Sequence, residues 1–179
     1  MNITVKLHDA LANRIEILPE RFERKYYLTP GEVDLTYGLL RHLCLSASEY
    51  SSEQINSLYF DTSDLEQHER SASGDYNKDK VRIRWYGEDR DMNGMWPVFI
   101  ELKSRRGFSS IKQRLKLSVP AMNLTSANLN RGIVPRNLLM GGLARFSHFP
   151  HEFLHPVIKI SYWRYRFSEI MTGQRISLD

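Results

Sequence analysis

The sequence predicts an α+β fold dominated by antiparallel strands, and three observations carry this. Four stretches place ionic side chains at strand period: Arg21-Phe22-Glu23-Arg24-Lys25, Lys80-Val81-Arg82-Ile83-Arg84, Glu101-Leu102-Lys103-Ser104-Arg105 and Lys112-Gln113-Arg114-Leu115-Lys116. The connections Glu88 to Gly94 and Arg106 to Ser110 are short enough for hairpins. Segments with helix-start signals fall between groups of strands, which is the α+β pattern. Successive strand side chains point to opposite faces. Lys80, Arg82 and Arg84 therefore share a face, and Val81, Ile83 and Trp85 share the other. The same parity gathers Lys112, Arg114 and Lys116 away from Leu115 and Leu117. A sheet with one apolar and one cationic face suits a polyanion.

Taken in order, residues 1 to 19 are mixed and aperiodic and read as a loose arm or short lead-in ending at Pro19. Residues 21 to 28 read as a strand. Thr29-Pro30-Gly31-Glu32 signals a helix start, with a capping Thr, a Pro at the first position and a Glu to complete the box. Val33, Tyr37, Leu40 and Cys44 follow at helical spacing. Residues 46 to 54 read as a loop and Ile55 to Asp61 as a strand. Ser63-Asp64-Leu65-Glu66 repeats the capping-box pattern for a short helix ending before Gly74, and 75 to 79 form a polar loop. Strands at 80 to 87, 96 to 105 and 110 to 119 make an antiparallel meander, which Pro120 ends. Short helices are expected at Leu124 to Arg131 and at Arg136 to Phe146, the second weakened by Gly141-Gly142. A loop with His and Pro spans 147 to 155, and strands fit Val157 to Ser168 and Gln174 to Asp179. No domain boundary is visible.

The 179 residues suit one domain or a little more, and 41% hydrophobic residues suffice for a core. A net charge of +4, from 25 Lys and Arg against 21 Asp and Glu, makes the placement of charge matter more than its total. Cys44 is the single cysteine, which excludes an intramolecular disulfide and a cysteine-based zinc site. It reads as a small buried residue on a helix in a reducing compartment. Neither a signal peptide nor an apolar run of about 18 residues occurs, so a cytoplasmic protein without a membrane span is expected.

Seven strands with cationic inner faces could close into a barrel. Such a barrel cannot fill itself with apolar side chains, and several dry unpaired cations would be costly. The interior must be wet, paired with carboxylates, or occupied by an anion. Glu23 and Glu101 sit in phase with Lys25 and Lys103, but the cations outnumber them.

Arg21-x-Glu23-x-Lys25-Tyr26, Tyr59-Phe60-Asp61-Thr62, Lys80-x-Arg82-x-Arg84-x-Tyr86-Gly87, Glu101-x-Lys103 and Lys112-x-Arg114 occur in this order, followed by Pro156, Tyr162-x-Arg164 and Arg175-Ile176-Ser177-Leu178-Asp179. The series resembles the VTC domain, the polyphosphate polymerase branch of the CYTH-like triphosphate tunnel metalloenzymes. The resemblance implies an arm at 1–19 and a tunnel domain at 20–179, in which antiparallel strands enclose ATP, triphosphate or polyphosphate. It implies a transferase that moves the ATP γ-phosphate to a growing chain. Carried over by motif, the substrate-binding positions are Lys25, Arg82, Arg84, Lys103, Lys112, Arg114, Arg164 and Arg175. Arg82, Arg84, Lys103 and Arg164 are the catalytic candidates. Mn²⁺ or Mg²⁺ is implied as cofactor, with Glu23 and Glu101 as candidate ligands. The resemblance also implies a further strand after Asp179 bearing a metal-binding glutamate and a lysine. The expected barrel thus lacks its last strand: either the tunnel is open on one side, or the strand comes from a partner, a second copy or further sequence.

Phosphoryl transfer is mostly positioning and charge neutralisation, which such a lining supplies without a P-loop, and no Gly-x4-Gly-Lys-Ser/Thr occurs. Other readings are a triphosphatase, a non-catalytic polyphosphate- or nucleotide-binding module, and nucleic-acid binding by the basic face. A tunnel excludes duplex, so duplex binding is not expected. His148, His151 and His155 read as incidental loop histidines, and Asp61 and Thr62 as cap and turn residues. Trp85 and Trp163 could stack on a base, yet by parity they face away from the basic side chains of their strands. Arg164 and Tyr162 share phase with Ile158 and Ile160, so a bulge or twist must intervene if both ends of that strand behave as the resemblance implies.

Overall fold

The computed structural model describes residues 15–18, 24–47, 51–87, 94–127, 129–130 and 132–179. Among these are eight strands and four helices: β1 (Glu16–Leu18), α1 (Pro30–Leu43), β2 (Cys44–Ser46), β3 (Ser52–Asp61), α2 (Glu66–Ala72), β4 (Asn77–Tyr86), β5 (Met95–Arg106), β6 (Ser109–Pro120), α3 (Met122–Thr125), α4 (Arg136–Arg145), β7 (His155–Glu169) and β8 (Arg175–Leu178). The sheet pairings described are antiparallel, as an α+β protein of this kind requires. The chain divides into two compact units, residues 1–20 with 56–160, and residues 21–55 with 161–179.

In the first unit the strand order is β1-β6-β5-β4-β3. The expected meander is present and longer than its apolar alternation suggested. The β5–β6 connection is a two-residue turn, because Arg106 pairs with Ser109 across Gly107 and Phe108. Gly107 has φ +61°, the left-handed value that a Gly-first hairpin turn requires. The apolar parity is also as expected: Val81, Ile83, Trp85, Val98, Ile100, Leu102, Leu115, Leu117 and Val119 are buried together. Leu124, Ile133, Leu139 and Leu143 complete that core. Gly142 explains one half of the glycine pair in α4. A Cβ there would meet Ile100 Cδ1 at 2.8 Å, so its absence lets the helix lie close on β5.

In the second unit β7 carries both β2 and β8. Tyr37 of α1 packs on Tyr165 and Phe167 of β7, with ring centroids 4.8 and 6.1 Å apart.

Several expectations need correction. Residues 16–18 are not a loose arm, since they pair with β6 and set Glu16 opposite Arg114. Residues 24–29 form no strand, and Tyr26 and Tyr27 are exposed. Strand propensity without a ladder partner does not make a strand. Residues 21–23, with Glu23, lie outside the described residues. The capping box of α1 is present, Glu32 accepting from the Thr29 backbone N–H and hydroxyl at 2.8 and 2.7 Å. The helix stops at Leu43, however, and Cys44 turns extended to begin β2, where it is half-buried. The expected loop at 46–54 therefore begins and ends in strand, with β3 starting at Ser52. Asn77 to Asp79, expected in a loop, already belong to β4. The helix after the meander covers Met122 to Thr125 only.

The helix α2 forms where expected, but its Ser63 box does not close it. Leu65 sits at φ 57° with no side-chain cap. Asp61 does the capping instead, accepting from the N–H groups of Thr62, Gln67 and His68 at 2.8 to 2.9 Å, while Thr62 Oγ1 accepts from Glu66. The capping reading of Asp61 and Thr62 holds.

Candidate anion-binding face of the first unit

The cations of β4, β5 and β6 form a grid set by strand register. One row across the three strands is Arg82–Glu101–Arg114, the next is Lys80–Lys103–Lys112, and the third is Arg84–Phe99–Lys116. All nine side chains project on the face opposite the apolar core. This is the cationic face that alternation predicted.

At its centre Glu101 is 1% exposed. Its Oε2 accepts from Arg82 Nε at 2.7 Å, and its Oε1 accepts from Lys112 Nζ at 2.7 Å. Oε1 also accepts from Arg114 Nε at 2.9 Å and Nη2 at 2.7 Å, and Arg84 Nε lies 4.0 Å from Oε2. The far ends of two guanidiniums are tied as well. Arg82 Nη1 donates to the Tyr59 hydroxyl at 2.8 Å, and Arg114 Nη2 to that of Tyr86 at 3.0 Å. Arg114 also lies over the Phe99 ring, 4.5 Å from its centroid. Arg84 Nε donates to Ser57 Oγ at 3.2 Å. On the outer strand, Glu16 stands 4.0 Å from Arg114.

The electrostatics follow from this crowding. Burial alone would raise the Glu101 carboxyl, but Arg82, Lys112 and Arg84 outweigh it and bring it down to about 2. Burial lowers Lys112, Glu101 only partly restores it, and Arg82 and Arg114 lower it further, to about 8. Burial also works against Arg82 and Arg114, yet Glu101 raises both. Four cations share one buried carboxylate, so the cluster is left strongly positive.

Glu101 does not pair with Lys103, its in-phase neighbour. Residues two apart on one strand are farther from each other than cross-strand partners, and register places arginines beside Glu101. Lys80 and Lys103 are exposed, and no carboxylate pairs with either among the described residues.

The structure thus brings together Arg82, Arg84, Lys112 and Arg114 on Glu101, with Lys103 at the edge of the same grid. Lys25, Arg164 and Arg175 belong to the second unit. Lys25 is exposed in the irregular stretch 24–29. Arg164 pairs with Asp179 and contacts the Tyr162 hydroxyl at 3.2 Å. Arg166, which the sequence reading did not single out, pairs with Glu53 at 3.0 Å. Arg175 is an exposed residue of β8. Ile158 and Ile160 are themselves exposed, so their phase marks no core face and no bulge is needed on their account.

Tyr59, Tyr86 and Ser57 are the contributors that sequence reasoning missed. Tyr86 was findable, since it continues the parity of Lys80, Arg82 and Arg84. Trp85 is fully buried and cannot stack on a base. The three histidines bind separately, His148 near Asp79, His151 to Glu66 and His155 to Arg136, with no metal-holding cluster among the described residues.

A family model for the VTC domain matches residues 20–179. The chain belongs to the VTC domain family. The grid of basic side chains and the motifs that pointed to it lie within the matched residues. A search of curated proteins finds no match to the sequence. No helix among the described residues is long and apolar enough to cross a membrane.

The divalent ion that the resemblance implies does not fit Glu101. Mn²⁺ and Mg²⁺ want several oxygen ligands with free lone pairs. Both Glu101 oxygens are taken by N–H donors, and a cation there would face four others. Glu23 lies outside the described residues.

Proposed function

We propose that this VTC domain binds the phosphate groups of ATP, triphosphate or polyphosphate on the β4–β6 face and transfers the ATP γ-phosphate to a polyphosphate end. The observation that supports it most is the cluster of Arg82, Arg84, Lys112 and Arg114 around a single buried carboxylate. Planar guanidiniums match phosphate oxygens two at a time, and Lys supplies a point charge. Held donors aimed at phosphate oxygens suit a transition state with charge spread over those oxygens. In the step, a terminal oxygen of the polyphosphate chain forms a bond to the γ-phosphorus. The bond from that phosphorus to the β–γ bridging oxygen breaks, and ADP leaves with the electron pair.

Arg82, Arg84 and Lys103 neutralise the transferring group in this reading, and Lys112 and Arg114 hold the neighbouring phosphates. Lys25, Arg164 and Arg175 remain phosphate-binding candidates by motif alone, as the CYTH-like tunnel reading has them. A divalent ion, in this proposal, arrives as counter-ion of the nucleotide phosphates and not as a resident of Glu101. The setting is the cytoplasm, and the ligands exclude duplex nucleic acid.

Incubation with ATP and Mn²⁺, followed by gel staining for polyphosphate, tests the reading. Polymer is the expected product. Phosphate release without polymer would replace transfer by triphosphatase activity. A binding-only module is the second reading, favoured by the four cations that crowd Glu101 and repel a metal ion from it. It gives salt-sensitive polyphosphate binding with neither product. Absence of polyphosphate binding at low salt would refute both.

A further inference from the structure

We propose that Glu101 is the positioning residue of the anion face, a buried carboxylate that holds the phosphate-binding cations in place and does not ligate metal. This rests on the anion-binding reading above. Three observations point to it. First, the carboxylate is crowded by donors: Lys112 and both Nε and Nη2 of Arg114 donate to Oε1, and Arg82 donates to Oε2. Oε1 thus takes three donors and Oε2 one, and with Arg84 Nε 4.0 Å from Oε2 a metal ion approaching its remaining lone pair would meet the cations on every side. Second, Arg82 and Arg114 are each fixed at a second point, by Tyr59 and Tyr86. Their rotamer freedom is lost before a ligand arrives, so ordering them on binding costs little. Third, the layering is favourable. Glu101 is 1% exposed, while the side chains of Arg82, Lys112 and Arg114 remain 19, 23 and 19% exposed. An arriving anion meets the cations and is shielded from the carboxylate beneath them.

A bystander carboxylate and a positioning one give opposite signs on removal of its charge. Glu101→Gln keeps the shape and makes the protein one unit more positive. Polyphosphate affinity is measured for both proteins at fixed salt in chelator, and Mn²⁺ affinity of the ligand-free proteins by electron paramagnetic resonance. Positioning predicts about ten- to a hundredfold weaker polyphosphate binding despite the added charge, the scale seen when aligned groups are freed. It also predicts unchanged Mn²⁺ affinity. Equal or tighter polyphosphate binding by the variant overturns the proposal, and so does loss of Mn²⁺ binding.

The wild-type protein alone decides if the variant does not fold. Nitrogen-15 spectra of the ligand-free protein are expected to show resolved, slowly exchanging Nε–H signals for Arg82 and Arg114, assigned through Arg82→Lys and Arg114→Lys. Signals averaged like those of exposed arginines would overturn the proposal. In a folded Glu101→Gln protein both signals should broaden, which a carboxylate serving stability alone would not cause. Wild-type protein that fails to bind polyphosphate refutes the anion-binding reading, whereas the arginine signals report on positioning by themselves.

Discussion

In the first unit Arg82, Arg84, Lys112 and Arg114 surround Glu101, whereas in the second Arg164 pairs with Asp179 and Arg166 with Glu53. The second arrangement is close to neutral pair by pair. The first sets four cations on one shared carboxylate, with Glu16 4.0 Å from Arg114 as a second, and so stays net positive on a face that keeps part of each side chain in water. The difference is topological. Three adjacent antiparallel strands with cations in one phase stack them in rows, and a single acidic residue on the middle strand reaches both neighbours. A strand pair with acids of its own lets each arginine find its own partner. Arginine count therefore does not identify an anion site; the ratio of cations to reachable carboxylates does.

The largest expected contrast is in stability. Glu101→Ala leaves buried cations without their partner and should cost about 3–5 kcal/mol. Glu53→Ala, which breaks a more accessible pair, should cost about 1 kcal/mol or less. Denaturant titration of the two variants checks this, and similar losses would erase the distinction between the clusters.

Next comes ligand affinity. Arg82→Ala removes a cation tied at two points and should weaken polyphosphate binding about tenfold or more, equivalent to about 1.4 kcal/mol. Arg166→Ala, whose charge is already matched by Glu53, should change it by less than about threefold by the same relation. Isothermal titration at one salt concentration orders them, and a reversed order would move the anion site to the second unit.

Acid then tests the shared carboxylate. Glu101 has a folded pKa of about 2, below the ordinary carboxyl value. Its contribution is full above the unfolded value of about 4.5 and is lost as pH falls from there toward about 2. Thermal melts across that window should show a loss in wild type that is smaller in Glu101→Gln.

The smallest effect is on the alkaline side. Lys112, lowered to about 8, is charged at neutral pH at a cost to the ligand-free fold. Because the unfolded chain holds that proton to higher pH, Lys112's contribution to stability rises between about 8 and 10.5. Anion affinity should move oppositely and fall over the same range, and should fall less in Lys112→Arg.

Much of the first unit was legible because alternation there serves both faces. Val81, Ile83 and Trp85 demand burial, so Lys80, Arg82 and Arg84 must face away, and one strand's sequence fixes this. The partners of Glu101 were not legible. They depend on which residue of β4 and β6 lies opposite it, and register is set by turns and by the fit of three strands together. For the same reason Tyr59 gave no warning that it would hold Arg82. Residues 24–29 misled because tyrosines favour strands wherever a ladder exists, and none forms there. The end of α1 was hidden too, since Cys44 continues the helical spacing while its backbone is claimed by β7.

The two-residue turn at Gly107-Phe108 has a consequence for how this protein can change. It locks β5 to β6 in a register where each strand is read twice, once by the apolar layer and once by the cationic layer. A single insertion or deletion between Met95 and Pro120 would exchange the layers over the rest of that strand, sending Glu101 or Lys103 inward and Ile100 or Leu102 outward. Substitution can tune such a hairpin, but length variation within it cannot be inherited without losing fold and cationic face together. Insertions that enlarge or diversify this protein must therefore accumulate outside the β5–β6 hairpin.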